Sequence, residues 1–325
     1  MSGSRLRTRN EFLASLLFLA LVALLPVWVT SPYWQGLLIV SMYFALLAVA
    51  WNLLAGYTGQ FSLAPTAFAM IGAYTTGLLA HHFGLSPLIG IPAAIVVSAV
   101  VGMGLGRVVF RLRGPYLALT TLAFAEILRH VVRNAHQITR GEFGLRVPAL
   151  FDHHLAYYYL FLALLLAVQT GLYLMLRSPA GLYLQAIRDD ETAAASRGVN
   201  VIVWKTVAFT ISGAICGIAG ALYVHFAEIA SPQIGHIFET GLVLASVVIG
   251  GMGTMVGPIV GAFLVEITSE QFRAVGLNHM LFFAAMVIVI VRFFREGLWG
   301  LAMLALRPWR AEPARKRRAL EADGS

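Results

Sequence analysis

Long apolar stretches repeat along almost the whole chain and are separated by shorter polar segments. Because the hydrocarbon core of a bilayer, about 30 Å thick, requires a helix of about 20 residues, each such stretch predicts one membrane-spanning helix. The spans are predicted near residues 12–30, 36–55, 61–80, 87–110, 115–134, 155–176, 206–229 and 279–295. The pattern therefore predicts an all-α, polytopic transmembrane helix bundle of about 8–10 spans.

A further apolar region, 238–273, is interrupted by closely spaced glycines and a proline. It is either one long bent helix or two short helices, and we favour two, which gives about ten spans in all. Proline disfavours helical geometry in the residues before it, and glycine tolerates unusual backbone angles. The break is predicted to act as a hinge between two conformations. Its members are Gly250, Gly251, Gly253, Gly257 and Pro258.

The composition agrees with a membrane protein. Of the 325 residues, 59% are hydrophobic and only 12% are charged, whereas soluble chains carry about 25% charged residues. A soluble globular enzyme and a disordered chain are therefore excluded. The single cysteine, Cys216, has no partner for an intramolecular disulfide. No catalytic motif and no metal site are predicted, since the paired loop histidines at 81–82 and 153–154 are expected to be solvated.

The net charge of +8 is best explained by orientation in the membrane rather than by nucleic acid binding. If the N-terminus is cytoplasmic and the spans alternate, 18 of the 23 lysines and arginines lie on the cytoplasmic side. This predicts a multi-pass membrane protein with both termini in the cytoplasm. The chain divides into a tail at 1–11, a membrane domain at 12–301 and a basic tail at 302–325, which is expected to contact membrane lipid.

The longest predicted cytoplasmic loop, 177–205, is expected to contain a short helix over 184–198. Leu184 and Glu191 are two helical turns apart, and Gly198 is placed to end the helix. The helix is too polar to span the membrane. It is either an ordinary interfacial helix or one that docks in a groove of another protein, and the spacing leaves both interpretations open.

Polar residues inside the predicted spans are few. Glu126 is followed one turn later by Arg129, which fits either a structural ion pair or a role in a pathway, and Glu266 is similarly ambiguous. No series of carboxylates runs through several spans, as a proton-driven transporter often requires. The glycine-rich segment 251–257 lacks the Lys-Ser/Thr of an ATP-binding loop.

Five motifs, in order between about residues 50 and 301, resemble those of LivM-type permease subunits of branched-chain amino-acid ABC transporters. They lie at 52–63 with 72–74, at 111–116 with 121–126, at 186–191 with 198–200, at 250–262, and at 295–301. The chain departs from the family at Ala64-Pro65, where glycine followed by histidine or glutamine is usual, and at Arg140, where glycine is common.

The resemblance implies the membrane-spanning permease subunit of an ATP-driven importer for branched-chain amino acids. The implied partners are a second homologous permease, two cytoplasmic ATPase subunits and an extracytoplasmic solute-binding protein. No cofactor is expected in this chain, since ATP and Mg²⁺ would be bound by the ATPase subunits. Urea, short amides or other amino acids are alternative substrates, and Ala64-Pro65 leaves that choice open. An ion-coupled secondary transporter and a structural membrane protein are the alternatives of a different class.

The resemblance also suggests two groups of functional residues. Those for ATPase coupling are Arg188, Asp189, Asp190, Glu191 and Gly198. Those for the translocation path are Asn52, Gln60, Ser62, Thr66, Tyr74 and Glu126. The path is expected to be weakly polar, without an Arg–Asp pair for a zwitterion, so that selection would rest with the external binding protein.

Overall fold

A computed structural model describes residues 2–111, 115–274 and 298–300. The predicted span at 279–295 and the basic tail at 302–325 lie outside the described residues. Almost all of the described chain is helical. The helices are α1 (Ser2–Trp28), α2 (Pro32–Ala55), α3 (Pro65–Phe83), α4 (Pro87–Val109), α5 (Pro115–Asn134), α6 (His136–Thr139), α7 (His154–Arg177), α8 (Pro179–Asp189), α9 (Glu191–Ser196), α10 (Val201–Ala227), α11 (Ile237–Gly250) and α12 (Gly257–Ala274).

The helix starts follow local sequence signals. Helices α2, α3, α4, α5 and α8 each begin at a proline, because the first helical position needs no N–H donor and proline already has a suitable φ. The Ser86 hydroxyl caps α4 by accepting a hydrogen bond from the Leu88 N–H at 3.3 Å. In the same way, the Asn200 side chain accepts one from the Val203 N–H at 3.2 Å and begins α10.

Five helices of the described chain are long and apolar enough to cross a membrane: α1 over Thr8–Trp28, α2, α4, α7 and α10. Helix α11 is apolar but shorter. Helices α3, α5 and α12 form at the predicted positions and carry more polar residues. The all-α transmembrane bundle is thus confirmed. Helix α1 begins at Ser2 rather than near residue 12, so most of the predicted N-terminal tail continues the first helix.

Helix α2 lies at the centre of the bundle, and its residues from Leu37 to Ala55 are almost all buried. Helix α10 packs against α3 and α4 through small residues. A methyl group at Gly72 of α3 would overlap the backbone carbonyl of Gly217 of α10, and one at Gly220 would overlap the backbone of Ala69. These contacts between helix backbones explain the small residues at four-residue spacing in α10.

Helices α11 and α12 form an antiparallel hairpin, which excludes the alternative of one bent helix. Gly250 lies against Gly257, and Gly261 lies against Ser246, as expected for two chains running in opposite directions. The connecting segment, called here the linker, is 251–256. Within it, Gly251 and Gly253 have φ values of 121° and 74°.

The break therefore lies between Gly250 and Gly257 and does not include all five predicted hinge residues. Gly250 belongs to the end of α11, while Gly257 and Pro258 form the first turn of α12. Proline is accepted at this position for the reason given above for the other helix starts. Pro258 thus begins a helix rather than interrupting one, and the two glycines with positive φ make the turn possible.

The structure divides the single helix predicted over 184–198 into α8 and α9. Asp190, between them, is extended with φ −159° and ψ 110°. Its carboxylate accepts hydrogen bonds from the N–H groups of Thr192 and Ala193 at 2.8 and 3.0 Å and so caps α9. Gly198 has φ 86°, and a methyl group added there would meet no atom within 4 Å. Its backbone conformation, not lack of space, therefore favours glycine.

The two ends of the bundle differ in structure. At one end, strand β1 (Leu145–Arg146) pairs antiparallel with β2 (Ile229–Ala230), which follows α10 and precedes α11. We call this end the ribbon side. At the other end, α8 and α9 precede the start of α10, and the linker joins α11 to α12. We call this end the α8–α9 side.

Candidate coupling junction

Three segments that are far apart in sequence meet on the α8–α9 side. They are the connection between α2 and α3, the boundary of α8 and α9, and the linker. We call this meeting place the junction. Its central residues are Asn52, Gly56, Gln60, Arg188, Glu191, Lys205 and Gly253.

Asn52, buried near the end of α2, holds the linker with both ends of its amide. The side-chain oxygen accepts a hydrogen bond from the Gly253 N–H at 2.8 Å, and the side-chain nitrogen donates one to the Thr254 carbonyl at 2.8 Å. Asparagine suits this place because it carries a donor and an acceptor on one planar group. The turn between α11 and α12 is thereby attached to the central helix of the bundle.

Two further buried polar side chains hold the next residue of the linker. The Glu11 carboxylate, from α1, accepts a hydrogen bond from the Met255 N–H at 3.2 Å. Gln169, from α7, donates to the Met255 carbonyl at 2.8 Å and to the Ser15 hydroxyl at 3.2 Å. Neither Glu11 nor Gln169 was predicted from the sequence. Gln169 is a polar residue inside a predicted apolar span, which was an available signal, whereas Glu11 belongs to the predicted tail at 1–11.

Arg188 joins α8 to the end of α2. Its guanidinium donates a hydrogen bond to the Gly56 carbonyl at 3.2 Å and pairs with the Asp189 carboxylate at 3.0 Å. A cation is favourable at a helix C-terminus, where carbonyl groups lack helical partners. Gly56 itself has no room for a side chain, because a methyl group there would overlap Asn52 and the Gly253 nitrogen.

Glu191, the first residue of α9, joins that helix to α10 and to the connection between α2 and α3. One oxygen of its carboxylate pairs with the Lys205 ammonium of α10 and accepts a hydrogen bond from the Gln60 side chain at 3.1 Å. Lys205 is 3% exposed, and its ammonium lies 5.9 Å from the centre of the Phe110 ring. The sequence placed Lys205 among the cytoplasmic basic residues, but this buried pair was not predicted.

Removing one partner of the Glu191–Lys205 pair is expected to cost more stability than removing both. In Glu191→Ala the Lys205 ammonium stays buried without its counter-ion. Because the Glu191 side chain is 41% exposed, we expect a loss of about 1–3 kcal/mol rather than the full cost of burying a charge. In thermal unfolding of the purified complex, Glu191→Ala should therefore have a lower melting temperature than the Glu191→Ala/Lys205→Met double variant. The reverse order would contradict the pairing.

Of the predicted path residues, the structure brings Asn52 and Gln60 into the junction. Ser62 lies beside it, with its carbonyl accepting a hydrogen bond from the Trp51 indole at 2.6 Å. The other three form separate contacts: Thr66 with the Thr240 hydroxyl at 2.6 Å, Tyr74 with the Ala230 carbonyl at 3.3 Å, and Glu126 with Arg129 at 2.7 Å. The described residues contain no group of three or more His, Cys, Asp or Glu side chains that could hold a metal ion.

The apolar helices and a matching family model define a multi-pass inner-membrane protein of the transport permease class. The family model described as "Branched-chain amino acid transport system / permease component" matches residues 33–291. The chain belongs to this family of transport permeases, whose members work with a separate ATPase and a substrate-binding protein.

Two sequence relatives agree with this assignment. The chain is 33% identical to the high-affinity branched-chain amino acid transport system permease protein LivM of Salmonella typhimurium, over 86% of this chain and 74% of that protein. It is 28% identical to the probable LivH permease of Methanocaldococcus jannaschii, over 73% and 79%. A solved structure of an inward-facing metal-chelate-type ABC transporter gives a TM-score of 0.49 at 16% identity, over 88% of this chain and 100% of that chain.

Proposed function

We propose that this chain is the permease subunit through which an ATP-driven importer carries branched-chain amino acids. It would pair with a second homologous permease, two cytoplasmic ATPase subunits that bind ATP and Mg²⁺, and an extracytoplasmic solute-binding protein. Support comes from relatives such as LivM, which are named for this transport, and from the family match over most of the chain. Membership of this family favours ATP-driven import over the ion-coupled alternative.

The junction is the observation that supports a coupling role most directly. A displacement of α8 and α9 by an ATPase would reach the linker through only two consecutive contacts. Arg188 holds the Gly56 carbonyl, and Asn52, one turn earlier on α2, holds Gly253. In this proposal α8 and α9 dock on the ATPase with Arg188, Asp189, Asp190 and Glu191 at their polar rim, Gly198 ends the docking segment, and the linker acts as a hinge between inward- and outward-facing states.

The proposed topology places the α8–α9 side and both termini in the cytoplasm, in accord with the excess of positive charge there. Ser196, exposed on α9, and Phe143, 89% exposed on the ribbon side, provide a matched pair of positions. We expect an impermeant thiol reagent added to intact spheroplasts to label Phe143→Cys and not Ser196→Cys. The native Cys216 is buried and should give little background. Labelling of Ser196→Cys in intact spheroplasts would contradict the topology.

The proposed function is tested with the complete importer in liposomes that contain ATP. Uptake of leucine, isoleucine and valine should require ATP and the binding protein, and it should continue when ion gradients are collapsed. Urea and short amides serve as competing substrates. Uptake that follows an ion gradient without ATP, or uptake of urea but of no amino acid, would contradict the proposal.

A further inference from the structure

A polar cavity lies inside the bundle toward the ribbon side, away from the junction. It is formed by α2, α10, α11, α12 and the segment 229–234, and its volume is about 180 Å³. Pockets for drug-sized ligands measure roughly 300–1,000 Å³, so this cavity suits a small solute. The side chains that distinguish it chemically are Tyr43, Tyr223, Glu239, Glu266 and Arg273.

Glu266 is the most informative of these side chains. It is only 8% exposed, and among the described residues it forms no hydrogen bond and no ion pair. Glu239, half-buried at the start of α11, lines the same cavity. A carboxylate removed from most of the solvent is stabilised less by water, and a second carboxylate at the same cavity adds repulsion. The cavity therefore presents an arrangement that a cationic group would stabilise.

Arg273 supplies the opposite charge at the edge of the cavity. Its side chain is 53% exposed, and one terminal nitrogen lies 3.4 Å from the Glu270 carboxylate. A guanidinium carries five N–H donors in a planar array that matches a carboxylate. Within the described residues this is the one ion pair of Arg273, so donors of its guanidinium remain for the carboxylate of a bound solute.

The remaining wall is apolar and aromatic. The rings of Tyr43 and Tyr223 stack with their centres 4.4 Å apart and their planes 18° from parallel. Val40, Phe44 and Leu242 extend this surface. The cavity thus combines carboxylates, a guanidinium and an apolar wall within a small volume, which is a combination that was not predicted from the sequence.

We propose that this cavity binds a zwitterionic α-amino acid with an aliphatic side chain. Glu266 and Glu239 face the ammonium group, Arg273 faces the carboxylate, and Tyr43 and Tyr223 contact the side chain. The inference deepens the proposed function and rests on it, since the proposed topology turns the ribbon side toward the binding protein that delivers the solute. The permease itself then selects for the zwitterion, in addition to any selection by the binding protein.

The test measures equilibrium binding of radiolabelled L-leucine to the permease–ATPase complex in nanodiscs, without binding protein. Glu266→Gln and Arg273→Gln are each expected to weaken binding by at least about tenfold, since each removes a charge-assisted contact. Two compounds, each with one of the two charged groups of leucine, test the ammonium and carboxylate contacts separately. Competition by 3-methylbutylamine should be weakened in Glu266→Gln only, and competition by 4-methylpentanoate should be weakened in Arg273→Gln only.

Glu142→Gln is the matched control, because Glu142 is an exposed carboxylate on the ribbon side that pairs with Arg133 outside the cavity. It should bind leucine as the wild type does. Co-purification with the ATPase and the melting temperature show whether each variant assembles. If Glu266→Gln fails to assemble, leucine binding is compared in Glu239→Gln and Arg273→Gln instead.

The cavity proposal is overturned if the wild-type complex binds no leucine or if the assembled variants bind it as the wild type does. The uptake assay separates this result from failure of the proposed function. If the importer takes up leucine and the variants bind leucine as the wild type does, the cavity proposal is refuted and the proposed function is not. An importer that takes up no branched-chain amino acid refutes the proposed function.

Discussion

Replacing Asn52 with alanine is expected to reduce ATP-driven uptake by at least about tenfold while the chain still inserts in the membrane. The substitution removes the hydrogen bonds that Asn52 makes with the Gly253 N–H and the Thr254 carbonyl. Leaving a buried backbone group unpaired costs about 1–3 kcal/mol, and about 1.4 kcal/mol already changes an equilibrium tenfold. The linker would then be free to adopt other conformations, so movement of α8 and α9 would no longer determine its position.

The measurement is leucine uptake by the reconstituted importer, with ATP hydrolysis recorded in parallel. We expect Asn52→Ala to hydrolyse ATP without matching uptake. Ser41→Ala is the control, because Ser41 is buried on the same helix and, among the described residues, its hydroxyl bonds only to the Leu37 carbonyl of its own helix. Equal uptake by Asn52→Ala and Ser41→Ala would show that the contact between Asn52 and the linker does not couple movement of α8 and α9 to movement of the linker.

The sequence predicted the separate segments of the junction but not that they are in contact. The segments around Asn52, Arg188 and Gly250 each stood out separately, through glycines, a charged run or resemblance to a family motif. Their contact depends on where α2 ends relative to the turn of α11 and α12. More than 130 residues of chain separate Asn52 from Arg188, and periodicity within a helix carries no information on such pairing.

Two kinds of residue were harder to predict for physical reasons. Gln169 lies in an apolar helix, where a polar residue can face a neighbour or a cavity equally well. Glu11 follows Arg9 and Asn10 at the end of the predicted tail, so its sequence position gave no sign of a buried contact. The boundary between α8 and α9 could have been predicted more easily from the sequence. Asp190 followed by Glu191 and Thr192 is a recognisable helix N-cap signal, but the apolar spacing across it suggested one continuous helix.

The polar cavity was missed because its members come from different helices. Glu239 begins α11 while Glu266 and Arg273 lie on α12, and the antiparallel hairpin brings them to one cavity. Along α12 alone, Glu266 and Arg273 are two helical turns apart, but nothing in that helix shows that Glu239 and the two tyrosines of other helices lie beside them. Prediction of the hairpin as two helices was correct, and applying its antiparallel pairing to the charged positions would have brought these residues together.

The largest expected effect on stability comes from adding one methyl group where α3 crosses α10. In Gly72→Ala the new methyl group would overlap the Gly217 carbonyl, and both partners are helix backbone. Backbone cannot rotate away as a side chain can, so α3 and α10 must separate along a contact that also includes Ala69 and Gly220. Overpacking of this kind costs roughly 1–3 kcal/mol or more. We expect a lower melting temperature and a smaller yield of assembled complex.

Gly104→Ala is the matched control for this prediction, because it makes the same substitution at an uncrowded position. Gly104 lies within α4, is exposed on the helix surface, and has no atom within 4 Å of an added methyl group. Alanine is favoured over glycine in a helix by about 1 kcal/mol, so Gly104→Ala should keep or slightly raise the melting temperature. The same chemical change should therefore act in opposite directions at the two positions. A melting temperature of Gly72→Ala equal to that of Gly104→Ala would show that α3 and α10 do not touch through their backbones at this point.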